Sequence, residues 1–194
     1  MRQTPAILIL AAGASSRMAG RDKLLEEIDG TPLILRATRA ACAVSDEVLV
    51  ALPAADRSRR AWLGDTPARL LDVQDLALSA SIRAGAAACR SDALMIQLAD
   101  LPGIGAEELD AVAQAWRTST APALRATAQD GTPGHPIVLH RELFPELQAL
   151  TGDTGARDIL ARHKAELVAL PGDRAVRDLD TPADWAKWHA DRRT

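Results

Sequence analysis

The sequence predicts an α/β fold in which one mostly parallel sheet is covered by helices on both faces. Three observations carry that expectation. Strand-like and helix-like segments alternate along the chain. The strand-like segments, above all Ile7-Leu8-Ile9-Leu10 and Leu94-Met95-Ile96, are short continuous apolar runs, as in strands buried on both faces. Aromatic side chains are sparse, with four Trp, one Phe and no Tyr, so packing must rest on Ala, Leu, Val and Ile. That composition suits a helix-covered sheet better than an all-β design.

The elements follow in order. A strand over 7–10 opens the sheet. The spacing of Leu33, Ala37, Ala40 and Ala41 then gives a helix over 32–44, with Pro32 where a helix can begin. A strand over 47–52, a short helix over 54–63, a strand over 68–73 and a helix over 79–89 come next. The fourth strand spans 92–98, followed by a helix over 106–116 and strands over 122–128 and 137–140. Helices over 143–150 and 154–163, a strand over 166–170 and a terminal helix over 182–192 complete the chain. At 194 residues, 47% apolar and 25% charged, with no internal repeat, the chain reads as one domain over 1–194 with a sizeable core. A sheet of this kind places its ligand crevice at the carboxyl ends of the strands.

Two segments stand at such ends. Behind the first strand, Ala11-Ala12-Gly13-Ala14-Ser15-Ser16 puts no bulky side chain between its backbone amides and a ligand. Backbone N–H groups there can point at an anion. Arg17 adds a planar fork of donors and Lys23 a compact mobile charge, two tools for holding a polyphosphate. No Gly-Lys-Ser/Thr closes the loop, and only Gly13 fits the dinucleotide glycine spacing, so neither common nucleotide motif applies. Read blandly, the same residues form a strand, a tight turn and a charged surface helix. Behind the fourth strand, Asp100 has its backbone fixed and its oxygens toward the crevice, a position that suits Mg²⁺ or a cap on the turn Leu101-Pro102-Gly103. Near the end of the chain, alternation puts Asp178 and Asp180 on one side of an extended strand. Asp180 or Thr181 can cap the helix that opens with Pro182, and capping by Thr181 leaves Asp180 free.

The formal charge of −3 argues against a nucleic-acid or anionic-membrane binder. With no run of bilayer length and no cleavable signal layout, the sequence reading is cytoplasmic. Cys42 and Cys89, in Ala-rich stretches far from other metal-ligating residues, read as small hydrophobes. Arg57-Ser58-Arg59-Arg60 reads as the solvated face of a short helix that needs no partner, and Trp185 and Trp188 read as packing residues.

The run Leu10-Ala11-Ala12-Gly13-Ala14-Ser15-Ser16-Arg17-Met18, continuing to Asp22-Lys23, resembles the signature of the MobA-like nucleotidyltransferases. Further matches follow in order along nearly the whole chain: Ser79-Ala80-Ser81-Ile82-Arg83-Ala84-Gly85, Asp100-Leu101-Pro102, Gly134-His135-Pro136, Gly152-Asp153-Thr154-Gly155-Ala156-Arg157 and Asp178-Leu179-Asp180-Thr181-Pro182-Ala183-Asp184. Two departures stand out: Ala19, with Gly20 behind it, where the family has Gly directly after Arg-Met, and Ala77-Leu78 where it often has a Gly before the serines.

The resemblance implies a Rossmann-like, nucleotide-diphospho-sugar-transferase-like domain. It implies a nucleotide held by Leu10, Ala11, Ala12, Gly13, Arg17, Lys23, Ser79 and Ser81, with Arg17, Lys23 and Asp100 catalytic. His135 and Asp153 fall on the acceptor side, and Mg²⁺ falls to Asp100 and Asp180, with Asp178 the weaker second ligand. The reaction implied is transfer of a nucleotide to a phosphate of molybdopterin with loss of pyrophosphate, and a transient contact with a recipient molybdoenzyme. Ala11-Ala12-Gly13 and the Gly152–Arg157 segment are similar to the cytidylyltransferase branch, implying CTP. Transfer of GMP or UMP to molybdopterin or another phosphorylated acceptor is one alternative. A non-catalytic carrier of the molybdenum cofactor is another, although a carrier has no need of two magnesium carboxylates.

Overall fold

The computed structural model describes residues 1–191; Arg192, the last residue of the expected terminal helix, lies outside them. The first strand, β1 (Ala6–Leu10), leads into the loop, and a small hairpin of β2 (Glu27–Ile28) and β3 (Thr31–Pro32) follows. Then come α1 (Leu33–Cys42), β4 (Val48–Pro53), α2 (Arg57–Leu63), β5 (Arg69–Val73), α3 (Leu78–Ala88), β6 (Ala93–Leu98) and α4 (Ala106–Thr118). The second half holds β7 (Ala123–Thr127), β8 (Pro133–His140), a 3₁₀ turn (Arg141–Leu143), α5 (Phe144–Gln148), α6 (Arg157–Arg162), β9 (Glu166–Ala169) and α7 (Pro182–Asp191).

Seven strands form one sheet in the order β5-β4-β1-β6-β8-β7-β9. All its neighbours pair in parallel except β8, which runs antiparallel to both β6 and β7. The expected α/β fold with a mostly parallel sheet is therefore present. Alternation along β1 explains its central place: Ile7 and Ile9 join the core beneath α1 and α4, while Ala6 and Leu8 join the core beneath α3, α5 and α6.

A third, smaller core of Met18, Ile28, Leu33, Leu179 and Trp185 unites the loop after β1, the hairpin and the C-terminal segment. Trp185 packs there, as expected of it.

Several expectations are corrected. The strand expected over 137–140 begins at Pro133, so Gly134-His135-Pro136 lies within it. Gly134 is required there, because a Cβ would lie 2.1 Å from the Ala175 carbonyl oxygen. The expected helix over 143–150 is a 3₁₀ turn followed by the short α5, and α6 starts at Arg157 rather than 154. The 178–180 segment is not a strand; Leu179 N–H donates to the Asp100 carbonyl (3.2 Å). Cys42 and Cys89 are free thiols, and burial and the nearby Glu47 charge push Cys89 up to about 11.

Candidate active site

The site lies at the carboxyl ends of β1 and β6. The sheet grips the start of the loop, with Ala11 N–H donating to Ala51 carbonyl (3.1 Å) and Ala99 N–H to Leu10 carbonyl (3.3 Å). The chain then turns through Ser15 in the left-handed region, φ 51°. Ser15 Oγ donates to Asp22 Oδ1 (3.1 Å) and accepts from Lys23 N–H (3.2 Å). Asp22 Oδ1 also accepts from Leu24 N–H (3.0 Å), so one carboxylate folds the returning chain against the loop and delivers Lys23. Ala19 and Gly20 are both left-handed, φ 51° and 85°, which lets the chain turn despite the alanine after Met18.

Arg59 corrects the sequence reading of the basic cluster as a solvated face. It is buried, and Nη1 donates to Ala11 carbonyl (2.6 Å) while Nη2 donates to Gly13 carbonyl (2.9 Å). Its Nε and Nη2 also donate to Asp22 Oδ2 (2.7 Å) and Oδ1 (2.9 Å), and Asp56 lies 3.2 Å from Nε. Burial pushes the Asp22 carboxyl up, but the Arg59 bond and charge, together with the bonds from Leu24 N–H and Ser15 Oγ, outweigh it and hold the group below the ordinary value. The available signal was spacing: Arg59 precedes the buried Leu63 by four residues, on the same face of α2. Its neighbour Arg60 pairs with Asp72.

Lys23 Nζ bridges Asp100 Oδ2 and Asp180 Oδ1, and Arg17 Nη1 reaches Asp180 Oδ2 at 2.6 Å. Lys23, Asp100 and Asp180 are largely shielded, whereas the Arg17 side chain is 70% exposed. Burial pulls the Lys23 ammonium down, and the two carboxylates override it to leave the group above the usual lysine value. Asp180 is free for this contact because Thr181 and Asp184 cap α7 reciprocally: Thr181 N–H and Oγ1 donate to Asp184 Oδ2 (2.8 and 2.7 Å), and Asp184 N–H donates to Thr181 Oγ1 (3.3 Å). Asp178 makes no bond to Lys23; loss of water and then repulsion from Asp180 and Asp100 push its carboxyl up.

Asp100 Oδ1 is buried with no partner, an unused acceptor beside a cation-bridged carboxylate pair. Two carboxylates with an open oxygen suit a hard divalent cation whose remaining ligands come from phosphates and water. Among the described residues, no group of three or more His, Cys, Asp or Glu offers an all-protein cage.

Three adjoining cavities surround this centre. The smallest, about 170 Å³, is lined by the Gly13–Arg17 loop, Lys23 and Asp180. A second, about 260 Å³, shares Gly13 and Lys23 with it and adds Ala12, Leu78, Ser81, Asp100 and Asp153. A third, about 280 Å³, shares Leu10, Leu78 and Leu98 with the second and holds Arg125, His135 and Arg157.

Of the residues expected on the nucleotide, Leu10, Ala12, Gly13, Arg17, Lys23 and Ser81 therefore line cavities. Ala11 is buried in the core, and Ser79 is fully buried, accepting from Arg83 Nη1 (3.2 Å). Neither serine caps α3; Asp153 Oδ1 accepts from Leu78 N–H (3.4 Å) and Asp75 Oδ1 from Ala77 N–H (2.9 Å). Asp153 thus faces Gly13 and Lys23, while His135 lies one cavity further on. Burial, then the Arg125 charge, lower His135 to about 4, against a smaller opposing pull from Asp100. Arg125 was not singled out from sequence, and Arg157 entered only as the last residue of the Gly152–Arg157 match.

Known proteins resemble the chain over most of its length. Residues 7–167 match the family model described as the MobA-like NTP transferase domain. A molybdenum cofactor guanylyltransferase of Pseudomonas paraeruginosa is 32% identical over 191 residues, covering 94% of this chain and 93% of that protein. One from Burkholderia vietnamiensis is 32% identical over 187 residues, covering 89% and 90%. Among solved structures, Rv0371c of Mycobacterium tuberculosis H37Rv superposes with a TM-score of 0.80 at 26% identity over 95% of this chain and 98% of that one. The same protein solved as a manganese complex gives 0.78 at 25% identity, over 95% and 97%.

The relatives named guanylyltransferase do not follow the cytidylyltransferase likeness read from Ala11-Ala12-Gly13. Only part of that motif faces a ligand space, since Ala11 packs inward. No helix among the described residues is long and apolar enough to cross a membrane. Matched over most of its length, the chain belongs to the MobA-like NTP transferase family.

Proposed function

We propose that this protein transfers a nucleotidyl group from a nucleoside triphosphate, with GTP favoured, to the terminal phosphate of molybdopterin or the molybdenum cofactor, releasing pyrophosphate. The observation that carries the reading is Lys23 held between Asp100 and Asp180 beneath the Gly13–Arg17 loop. Preference for GTP rests on the names of the 32% identical relatives.

The attacking phosphate monoester is already anionic near neutrality, so the protein needs little proton transfer. Its work is to align two anions and neutralise their repulsion. Loop amides and the exposed Arg17 take the triphosphate. Lys23 moves from the carboxylates onto the phosphates as negative charge develops on the leaving group. Asp100 and Asp180 would hold a divalent cation, Mg²⁺ as the ordinary choice, which would supply Lewis-acid screening of the phosphates when bound. Ser81 and Ala12 border the nucleotide cavity, with Ser79 buried on the same helix as Ser81. Asp153 and His135 line the way to the acceptor cavity, where a neutral imidazole can hydrogen-bond without adding charge.

A second reading, CTP as donor, rests on one observation: Ala12 stands in the cavity wall, where a residue larger than glycine leaves less space for a base. Pyrophosphate release from GTP, CTP, UTP and ATP, with Mg²⁺ and molybdenum cofactor, separates the readings. Turnover confined to GTP supports the proposal, turnover confined to CTP replaces the base, and cofactor binding without turnover favours a carrier. In Asp100→Asn, turnover is expected to fall by about 10²-fold or more.

A further inference from the structure

We propose that Arg59 is a positioning residue that presets the phosphate-binding loop by holding its carbonyls from behind. The argument is geometric. Arg59 grips the carbonyl oxygens of Ala11 and Gly13, which belong to the peptide units ending in Ala12 N–H and Ala14 N–H. In a trans peptide the N–H points opposite to the C=O. Holding both oxygens toward Arg59 therefore turns both N–H groups the other way. Ala12, Gly13 and Ala14 line the two cavities beside Lys23, and Arg59 lines neither, so the opposite way is toward the ligand space.

The rest of the network fixes the arginine. Asp22 receives its Nε and Nη2 as a fork, and Asp56 both stands beside Nε and caps α2 through Arg59 N–H (2.9 Å). Asp22 also takes Ser15 Oγ, and Ser15 Oγ takes Lys23 N–H. One buried guanidinium thus sets the direction of two loop amides and, through Asp22 and Ser15, the place of Lys23. The planar fork matters because two carbonyls and a carboxylate are reached at once, which a lysine cannot do.

The reaction served is the one proposed above, but the placement itself is read without turnover. Hydrogen exchange at the amides of residues 12–18 is compared in wild type, Arg59→Lys, Arg59→Met and Asp22→Asn. Faster exchange confined to the loop in Arg59→Met, with smaller changes in Arg59→Lys and Asp22→Asn and unchanged β4 and α3, supports the proposal. Loop exchange equal to wild type in both Arg59 variants overturns it, as does a uniform increase across the molecule. Should Arg59→Met not fold, Arg59→Lys and Asp22→Asn decide by the same readout. With turnover, KM for the triphosphate is expected to rise about tenfold in Arg59→Met, with a kcat loss from the displaced Lys23 beside it, and Arg59→Lys to recover part of both. A kcat loss at unchanged KM overturns the positioning role. Absence of turnover in wild type counts against the proposed reaction, while the exchange result still decides Arg59.

Discussion

Lys23 shows how much one side chain depends on distant partners. Its ammonium is the cation shared by Asp100 and Asp180, one carboxylate from the middle of the chain and one from near its end. Replacing it in Lys23→Met leaves Asp100 without its cation and Asp180 with the exposed Arg17, and is expected to destabilise the metal-free protein by about 1–3 kcal/mol, discounted for partial solvent access. Mn²⁺ should then raise Tm more in the variant than in wild type, and an equal rise would refute the shared-cation account. His135 gives a pH signature. Its folded-state value is lowered to about 4 from 6.5, so the unfolded chain binds the extra proton first. This contribution to stability is therefore intact above about pH 6.5 and is lost as pH falls toward 4. His135→Gln should flatten that limb in urea melts taken across the range. Neither environment is visible from the residues themselves, since a lysine after an aspartate and a histidine before a proline carry no sign of what will face them.

At the scale of elements, two glycines set how closely parts approach. In α3, a Cβ on Gly85 would lie 2.2 Å from Leu8 Cδ2 on β1, so helix and strand touch there. Gly85→Ala is expected to cost about 1–3 kcal/mol, because a buried leucine tip must find another rotamer in a packed core. At Gly134 the obstacle is the Ala175 backbone, which cannot rotate away, so Gly134→Ala should lower the urea midpoint further than Gly85→Ala. The reverse order would show that the 173–176 turn yields more readily than the core. Apolar runs and helical spacing located nearly every strand and helix. They could not give the direction of β8, because antiparallel pairing depends on how the connecting chain returns. They also missed the two-residue strands β2 and β3, too short to carry a period.

Across the whole molecule, the small core of Met18, Ile28, Leu33, Leu179 and Trp185 is what binds the chain's end to its beginning. Trp185 touches no ligand space, yet Trp185→Ala is expected to cost about 3–5 kcal/mol and to weaken Mn²⁺ binding by loosening the segment that presents Asp180. A titration showing Mn²⁺ affinity unchanged would separate that core from the site. Sequence by itself determined the alternating architecture, the loop behind β1, the carboxylates at 100 and 180 and the family likeness, because these rest on short-range periodicity and on residue types in order. It misread Arg59 as solvated and left the nucleotide base to the Gly152–Arg157 segment and to a three-residue motif of which Ala11 faces the core. Tertiary structure alone decided that Arg59 turns inward to hold the loop, that Lys23 lies between two acids, and that His135 and Asp153 line separate cavities. The reason is physical: periodicity reports which face of an element avoids water, whereas a polar group's partner is fixed only when the packed sheet brings distant segments within hydrogen-bonding distance.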